Sequence, residues 1–213
     1  YSTSHPRDFT EDLIQAHKNC NKLMPLIHLP VQSGSNKILK SMNRKHTIKE
    51  YLDILDKLTE VKSNIKFSSD FIIGYPGETY EDYLETIKLM RNVKFINSYS
   101  FLYSARPGTP AYDLKKLDIN EIKNRLRNFQ KVADDVKTEY RKNLVNKTSK
   151  VLFENKLKND EKFFGRDEFF NSVVVESDND LIGKIINVKI SNVNHNTLFG
   201  EINSNLNQTN YAA

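Results

Sequence analysis

The chain has 213 residues, 38% of them hydrophobic, and carries 32 Lys/Arg against 27 Asp/Glu for a formal net charge of +5. That length supports a sizeable core and two domains, while no apolar run approaches the roughly 18 residues of a membrane span and no signal peptide is visible. The single cysteine, Cys20, excludes a disulfide framework and any thiolate metal cluster built from this chain alone, and it fits a reducing cytosol.

The chain opens on Tyr1 with "YSTSHP", which reads as the end of a strand already in progress and sets the expectation of a longer protein in front of it. "DFTEDLIQAHKN" predicts a helix with Asp8 or Thr10 as N-cap, and "LMPLIHLPVQ" an apolar strand running into "SGSN". In "HTIKEYLDILDKLTEV" Thr47 and Glu50 are spaced as a capping box, and Ile48, Tyr51, Leu52, Leu55 and Leu58 share one helical face. "NIKFSSDFIIG" is a second strand. "TYEDYLETIKLMRNV" is a helix capped by Thr79 with Leu84, Ile87 and Met90 inward, and "INSYSFLYS" is a third strand ending at "ARPGTPAYDL". Strands alternating with helices of this length predict βαβ units and a parallel sheet.

Residues 118–146 read as one long helix, with Ile122, Leu126, Phe129, Ala133, Val136, Tyr140 and Leu144 at spacings of three and four. The stretch 115–150 holds 11 Lys/Arg against 5 Asp/Glu, which is either a solvated helix face or a surface for a phosphate backbone. After Asn146, "KVLFENKL", "EKFFGRDEF", "NSVVVES", "IGKIINVKISNVN" and "TLFGEI" are short runs separated by Asn, Asp, Gly and Ser. They predict a small antiparallel barrel of the oligonucleotide-binding kind.

Ligands of parallel α/β sheets sit at the carboxyl ends of the strands, and all three ends here are unusual. The first gives Gln32-Ser33-Gly34-Ser35, the second Asp70 followed by Gly74, Pro76-Gly77 and Glu78, and the third Ser104, Arg106, Pro107 and Gly108. Glycines let backbone approach a ligand closely, Pro-Gly fixes a turn, and the polar groups supply directional bonds. Each piece also has a plain reading, as a turn, a helix cap or a surface charge; three such ends together point to one site. His28 lies mid-strand with no metal-ligand spacing around it, and Cys20 sits at a helix end without a base. The glycines fit neither a Walker loop nor a dinucleotide fingerprint.

Three longer stretches, "HLPVQSGSNKILKSMNRKHT", "SSDFIIGYPGET" and "FLYSARPGTPAYDL", resemble the later strands of the radical S-adenosylmethionine methylthiotransferases, and most closely the MiaB-type enzymes that modify tRNA. The segment after residue 146 resembles the TRAM domain that follows in that family. The resemblance implies an α/β fold: over 1–146, the C-terminal half of a partial (β/α)6 TIM-like radical SAM barrel, including the helix 118–146. A small all-β, OB-like TRAM barrel over 147–203 and a disordered tail over 204–213 would follow. It further implies that Gln32, Ser33, Asp70, Ile73, Gly74, Glu78, Ser104 and Arg106 line an adenosylmethionine site. The RNA contacts it suggests are Lys123, Arg125, Arg127, Lys131, Arg141, Lys142 and Arg166, with Phe163 and Phe164 as stacking candidates or core.

The implied reaction adds a methylthio group to C2 of isopentenyl-adenosine 3′ of the anticodon. That C–H bond is too strong and too weakly acidic for general-base chemistry, so a cofactor-derived radical is required. The implied cofactors are S-adenosylmethionine and two 4Fe–4S clusters. The implied partners are a tRNA anticodon stem-loop and an electron donor of the flavodoxin or ferredoxin type, with no membrane, in the cytoplasm. Such clusters are held by a CxxxCxxC motif and three further cysteines, none of which this chain has, so it is expected to be inactive alone and to hold no catalytic residue or metal ligand. A non-catalytic RNA-binding module or decayed remnant stays open as an alternative, as does a methylthiotransferase for threonylcarbamoyl-adenosine or a ribosomal protein; "HLPVQSGS" favours the isopentenyl-adenosine branch.

Overall fold

In a computed structural model, β2 (Lys66–Ile73) runs between two parallel neighbours, β1 (Leu26–His28) and β3 (Asn97–Leu102). The structure describes residues 5–158, 161–202 and, for backbone alone, 210–211; the opening "YSTS" and most of the expected tail lie outside them. β1 is much shorter than "LMPLIHLPVQ" predicts because two prolines bracket it. Pro25 and Pro30 have no N–H to give the ladder. Pairing resumes after Pro30 as a single bridge, with Gln32 N donating to the Asp70 carbonyl (3.0 Å) and Ile72 N to that of Gln32 (2.9 Å).

The helices are α1 (Glu11–Asn19), α2 (Asn36–Ser41), α3 (Ile48–Val61), α4 (Tyr80–Val93) and α5 (Ile119–Lys142). Thr47 with Glu50 and Thr79 with Asp82 form reciprocal capping boxes, each satisfying two otherwise orphaned amides. In α4 the inward face is Tyr83, Thr86, Ile87, Leu89 and Met90. Leu84, expected inward, falls beyond the edge of that stripe and is 43% exposed. The first core centres on Phe71, whose ring meets Phe95 at 5.4 Å and Phe129 of α5 at 4.7 Å, with Leu29, Val31, Leu58 and Met90 packed around. Tyr51 is fully buried and its hydroxyl donates to the Leu29 carbonyl, so its one polar atom is satisfied.

The second unit is a closed barrel of β4 (Thr148–Lys156), β5 (Lys162–Asp167), β6 (Ser172–Glu176), β8 (Thr197–Ile202) and β7 (Lys184–Val193), with β7 pairing back to β4. It is not wholly antiparallel as expected, because β6 and β8 run parallel. Closure requires this: directions cannot alternate all the way round a ring with an odd number of strands. β9 (Asn210–Tyr211) adds an edge on β7. Alternate residues of each strand, among them Val151, Phe153, Phe163, Val173, Val188, Ile190 and Leu198, fill the interior.

The two compact units are Tyr1–Lys137 and Thr138–Ala213. Tyr140, Arg141 and Leu144 fall in the second because they meet Asn171, the His195 carbonyl and the barrel core. No helix among the described residues is long and apolar enough to cross a membrane.

Candidate functional site

A cleft of about 880 Å³ opens over the carboxyl ends of β1–β3, within the range of about 300–1,000 Å³ usual for ligand pockets. Of the residues expected there, Gln32, Asp70, Ser104 and Arg106 line it. The short β1 has a purpose in this geometry. After Pro30 the chain turns through Gln32 at φ 75°, a left-handed conformation that costs a non-glycine residue energy and sets its side chain into the cleft. Asp70 Oδ1 lies 3.4 Å from His28 Nε2, while His28 Nδ1 is 2.8 Å from Ser68 Oγ. His28 thus links a strand hydroxyl to the cleft carboxylate.

The other predicted residues are not brought to the cleft. Ser33 is buried against α4, with its Oγ 3.4 Å from Thr86 Oγ1 and accepting the Ser35 amide at 3.2 Å. Gly34 is needed for that packing, since a Cβ there would meet the Glu85 carbonyl oxygen at 2.5 Å. Ser35 accepts the Ile38 amide, capping α2, and donates to Asp82 Oδ1 at 2.7 Å. Although burial works against the Asp82 charge, bonds from Lys37, the Thr79 backbone and Ser35 hold its pKa at about 2. Ile73 is wholly buried in the core. Gly74 (φ 78°) leaves room for Ile122, which a Cβ would meet at 2.7 Å, so its close approach is to α5 and not to a ligand.

Glu78, expected in the cofactor site, is buried beneath the loop. Its Oε2 accepts the Gly74 amide at 3.0 Å and the Arg125 guanidinium at 3.1 Å, and burial still pushes its pKa up. Arg125 leaves the set of phosphate contacts for the same reason. It is 7% exposed and donates also to the Glu78 and Thr79 carbonyls and to Glu121. Arg141 is buried too, donating to the His195 carbonyl. Lys123, Arg127 and Lys131 are exposed on α5, and Lys142 is exposed in the second unit. Arg166 is half-buried, 3.3 Å from Glu154 and over the Phe164 ring at 5.4 Å; Phe163 is barrel core.

Among the cleft residues that escaped sequence reasoning are Asn43, Arg44, Tyr75 and Tyr103. Asn43 (φ 57°) follows the C-cap of α2, and an asparagine at that position is a readable stop signal. That this turn swings Arg44 toward Asp70 is a tertiary fact. Burial lowers the Arg44 pKa while the Asp70 charge acts the other way. Among the described residues neither the Arg44 nor the Arg106 guanidinium makes a hydrogen bond or ion pair. The Tyr75 and Tyr103 rings meet edge to face at 5.0 Å and wall the cleft. Two unpaired guanidiniums, one carboxylate, amide groups and aromatic walls suit a zwitterionic, nucleoside-bearing ligand. An iron–sulfur cluster finds no such fit. Cys20 is exposed and single, and no group of three or more His, Cys, Asp or Glu among the described residues could hold a metal.

Two family models match parts of the chain. One described as the Radical SAM superfamily matches residues 1–90, and one described as the TRAM domain matches 142–202. Among curated relatives, the chain is 51% identical over 202 residues to the tRNA-2-methylthio-N(6)-dimethylallyladenosine synthase of Pelagibacter ubique, covering 95% of this chain and 45% of that protein. It is 48% identical to the protein of that name from Rickettsia akari (95% and 46%) and 47% identical to that from Wolbachia pipientis subsp. Culex pipiens (94% and 46%). The chain therefore spans about half the length of these relatives. In fold it is similar to Escherichia coli coproporphyrinogen III oxidase (HemN), a radical SAM enzyme, with a TM-score of 0.53 over 78% of this chain and 45% of that one at 13% identity.

Proposed function

We infer, from a chain that belongs to the MiaB-type radical S-adenosylmethionine methylthiotransferase family, that its protein adds a methylthio group to C2 of N6-dimethylallyl (isopentenyl) adenosine in tRNA. The observation that carries the reading is the cleft: its polar strand ends lie within a chain similar over nearly its whole length to synthases of that name. When bound, adenosylmethionine supplies the methyl group and the adenosyl group from which radical chemistry starts.

This chain's residues hold and orient it. Arg44 and Arg106 would take the ligand's carboxylate: Arg44 is a half-buried cation that gains most from an anion, and Arg106 is an exposed one at the cleft. Asp70 accepts from hydroxyl and amino groups, Gln32 can accept from or donate to a hydroxyl, and Ile72, Tyr75 and Tyr103 supply the apolar wall that excludes water. His28 Nε2, 3.4 Å from Asp70 Oδ1, helps to orient that carboxylate. With Cys20 its single cysteine, this chain does not provide the thiolate ligands of an iron–sulfur cluster.

The exposed Lys123, Arg127, Lys131 and Lys142, with the half-buried Arg166, are the proposed phosphate contacts for a tRNA anticodon stem-loop. A flavodoxin- or ferredoxin-type donor would reduce the complete enzyme in the cytoplasm. The test is nucleoside mass spectrometry of tRNA from cells lacking the protein. The 2-methylthio derivative of isopentenyl-adenosine should vanish and isopentenyl-adenosine accumulate; its persistence, or loss of the methylthio group from threonylcarbamoyl-adenosine instead, overturns the reading.

A further inference from the structure

The turn between β5 and β6, residues 167–171, is built more firmly than a connection needs. Asp167 and Asn171 are each 3% exposed. Asp167 Oδ1 accepts the amides of Phe169 (2.9 Å) and Asn171 (2.8 Å), and its Oδ2 accepts Asn171 Nδ2 at 2.9 Å. The backbone closes with Phe170 N donating to the Asp167 carbonyl and Asp167 N to that of Asn171. Phe169 turns inward, its ring edge-on to Tyr140 at 6.5 Å. Phe170 turns the other way and is 54% exposed.

Phe170 also holds φ 60°. A bulky aromatic is out of place in that region, where glycine or asparagine costs far less. A large apolar ring in water gains nothing for folding, and its backbone conformation costs stability. When a strained, exposed residue is held by a rigid, fully satisfied frame, the strain points to use. The strand leading into the turn carries Lys162, Phe164 and Arg166 on alternate, outward positions, with Arg166 already over the Phe164 ring. Cation and aromatic groups along one strand, ending in a fixed exposed ring, form the pattern of a single-stranded nucleic-acid platform.

We propose that the β5–β6 turn is a base-stacking tip and that Phe170 packs against one unpaired base of the bound RNA. This rests on the reading that the protein binds RNA, and it adds a residue and a mode of contact to that reading. Every base has an apolar face, so the tip supplies affinity without demanding a particular base.

The test is fluorescence anisotropy of a labelled anticodon stem-loop RNA with the full protein carrying this chain, over a range of KCl. Phe170→Leu keeps apolar bulk and the same backbone cost but has no ring face. It should weaken binding about 5- to 150-fold with an unchanged log–log salt slope, whereas a lost phosphate contact would flatten that slope by about 0.7 to 0.9. Phe170→Trp should bind as the parent does. Phe170→Asn should lose affinity like the leucine variant while its melting temperature rises, a combination that a merely structural Phe170 would not give. Parental affinity in Phe170→Leu overturns the stacking tip alone; a parent that binds no RNA overturns it together with the RNA-binding reading.

Discussion

Arg125 on α5 and Glu78 in the loop after β2 form a buried ion pair at 3.1 Å, and through Glu78 the arginine reaches the amide of Gly74. Three elements therefore meet at one carboxylate: the end of β2, the start of α4 and the long helix. The cleft wall at Ile72 and Tyr75 flanks the point being held.

Removing one partner leaves a buried charge without compensation, which costs about 3–5 kcal/mol. Arg125→Met should therefore lower the stability of the first unit by that order in urea unfolding. The double variant Arg125→Met/Glu78→Leu should recover part of the loss, because the orphaned carboxylate goes with it. Equal stability of Arg125→Met and the parent would show that the pair holds nothing.

His46 gives the fold an acid limit. It is 7% exposed with neither ring nitrogen bonded, and burial first, then His5 and Arg44, push its pKa to about 4 from an ordinary value of 6.5. The unfolded chain then binds the proton more readily than the folded one. Stability is complete above about pH 6.5 and falls, by about 3 kcal/mol in all, as pH drops toward 4. His46→Phe should remove that slope from unfolding curves taken between those pH values, and an unaltered slope would assign it to other groups.

Among the basic residues of α5, burial separates two kinds. Lys123→Gln, Arg127→Gln and Lys131→Gln should each weaken RNA binding modestly and reduce the log–log salt slope by about 0.7 to 0.9 where a phosphate contact is lost. Arg125→Lys should leave that slope alone. Anisotropy titrations at several KCl concentrations distinguish them.

Local chemistry was the legible part of this fold. The Thr47 and Thr79 caps, the three parallel strands and the five short strands of the barrel all follow from spacing and turn residues, which act within a few positions. Even Arg125 was readable. It sits at the same helical face as Ile122 and Phe129, so its period marks it as inward, and counting it with the exposed cations ignored that period. What sequence reasoning missed depends on distant partners. Ser33, Gly74 and Glu78 carry the look of a ligand loop, yet their partners are Thr86, Ile122 and Arg125, from helices later in the chain. Arg44 was missed for the converse reason, since nothing near it announces the cleft it reaches.

If the cleft over β1–β3 holds adenosylmethionine, equilibrium dialysis of the labelled compound against the full protein will show it. A charge-assisted bond is worth about 1.5–3 kcal/mol. Binding to the Arg106→Ala variant should therefore be roughly 10- to 100-fold weaker than to the parent, while Lys131→Gln binds adenosylmethionine normally and Arg106→Ala keeps its affinity for tRNA. Equal adenosylmethionine affinity in Arg106→Ala and the parent would place the ligand outside this cleft.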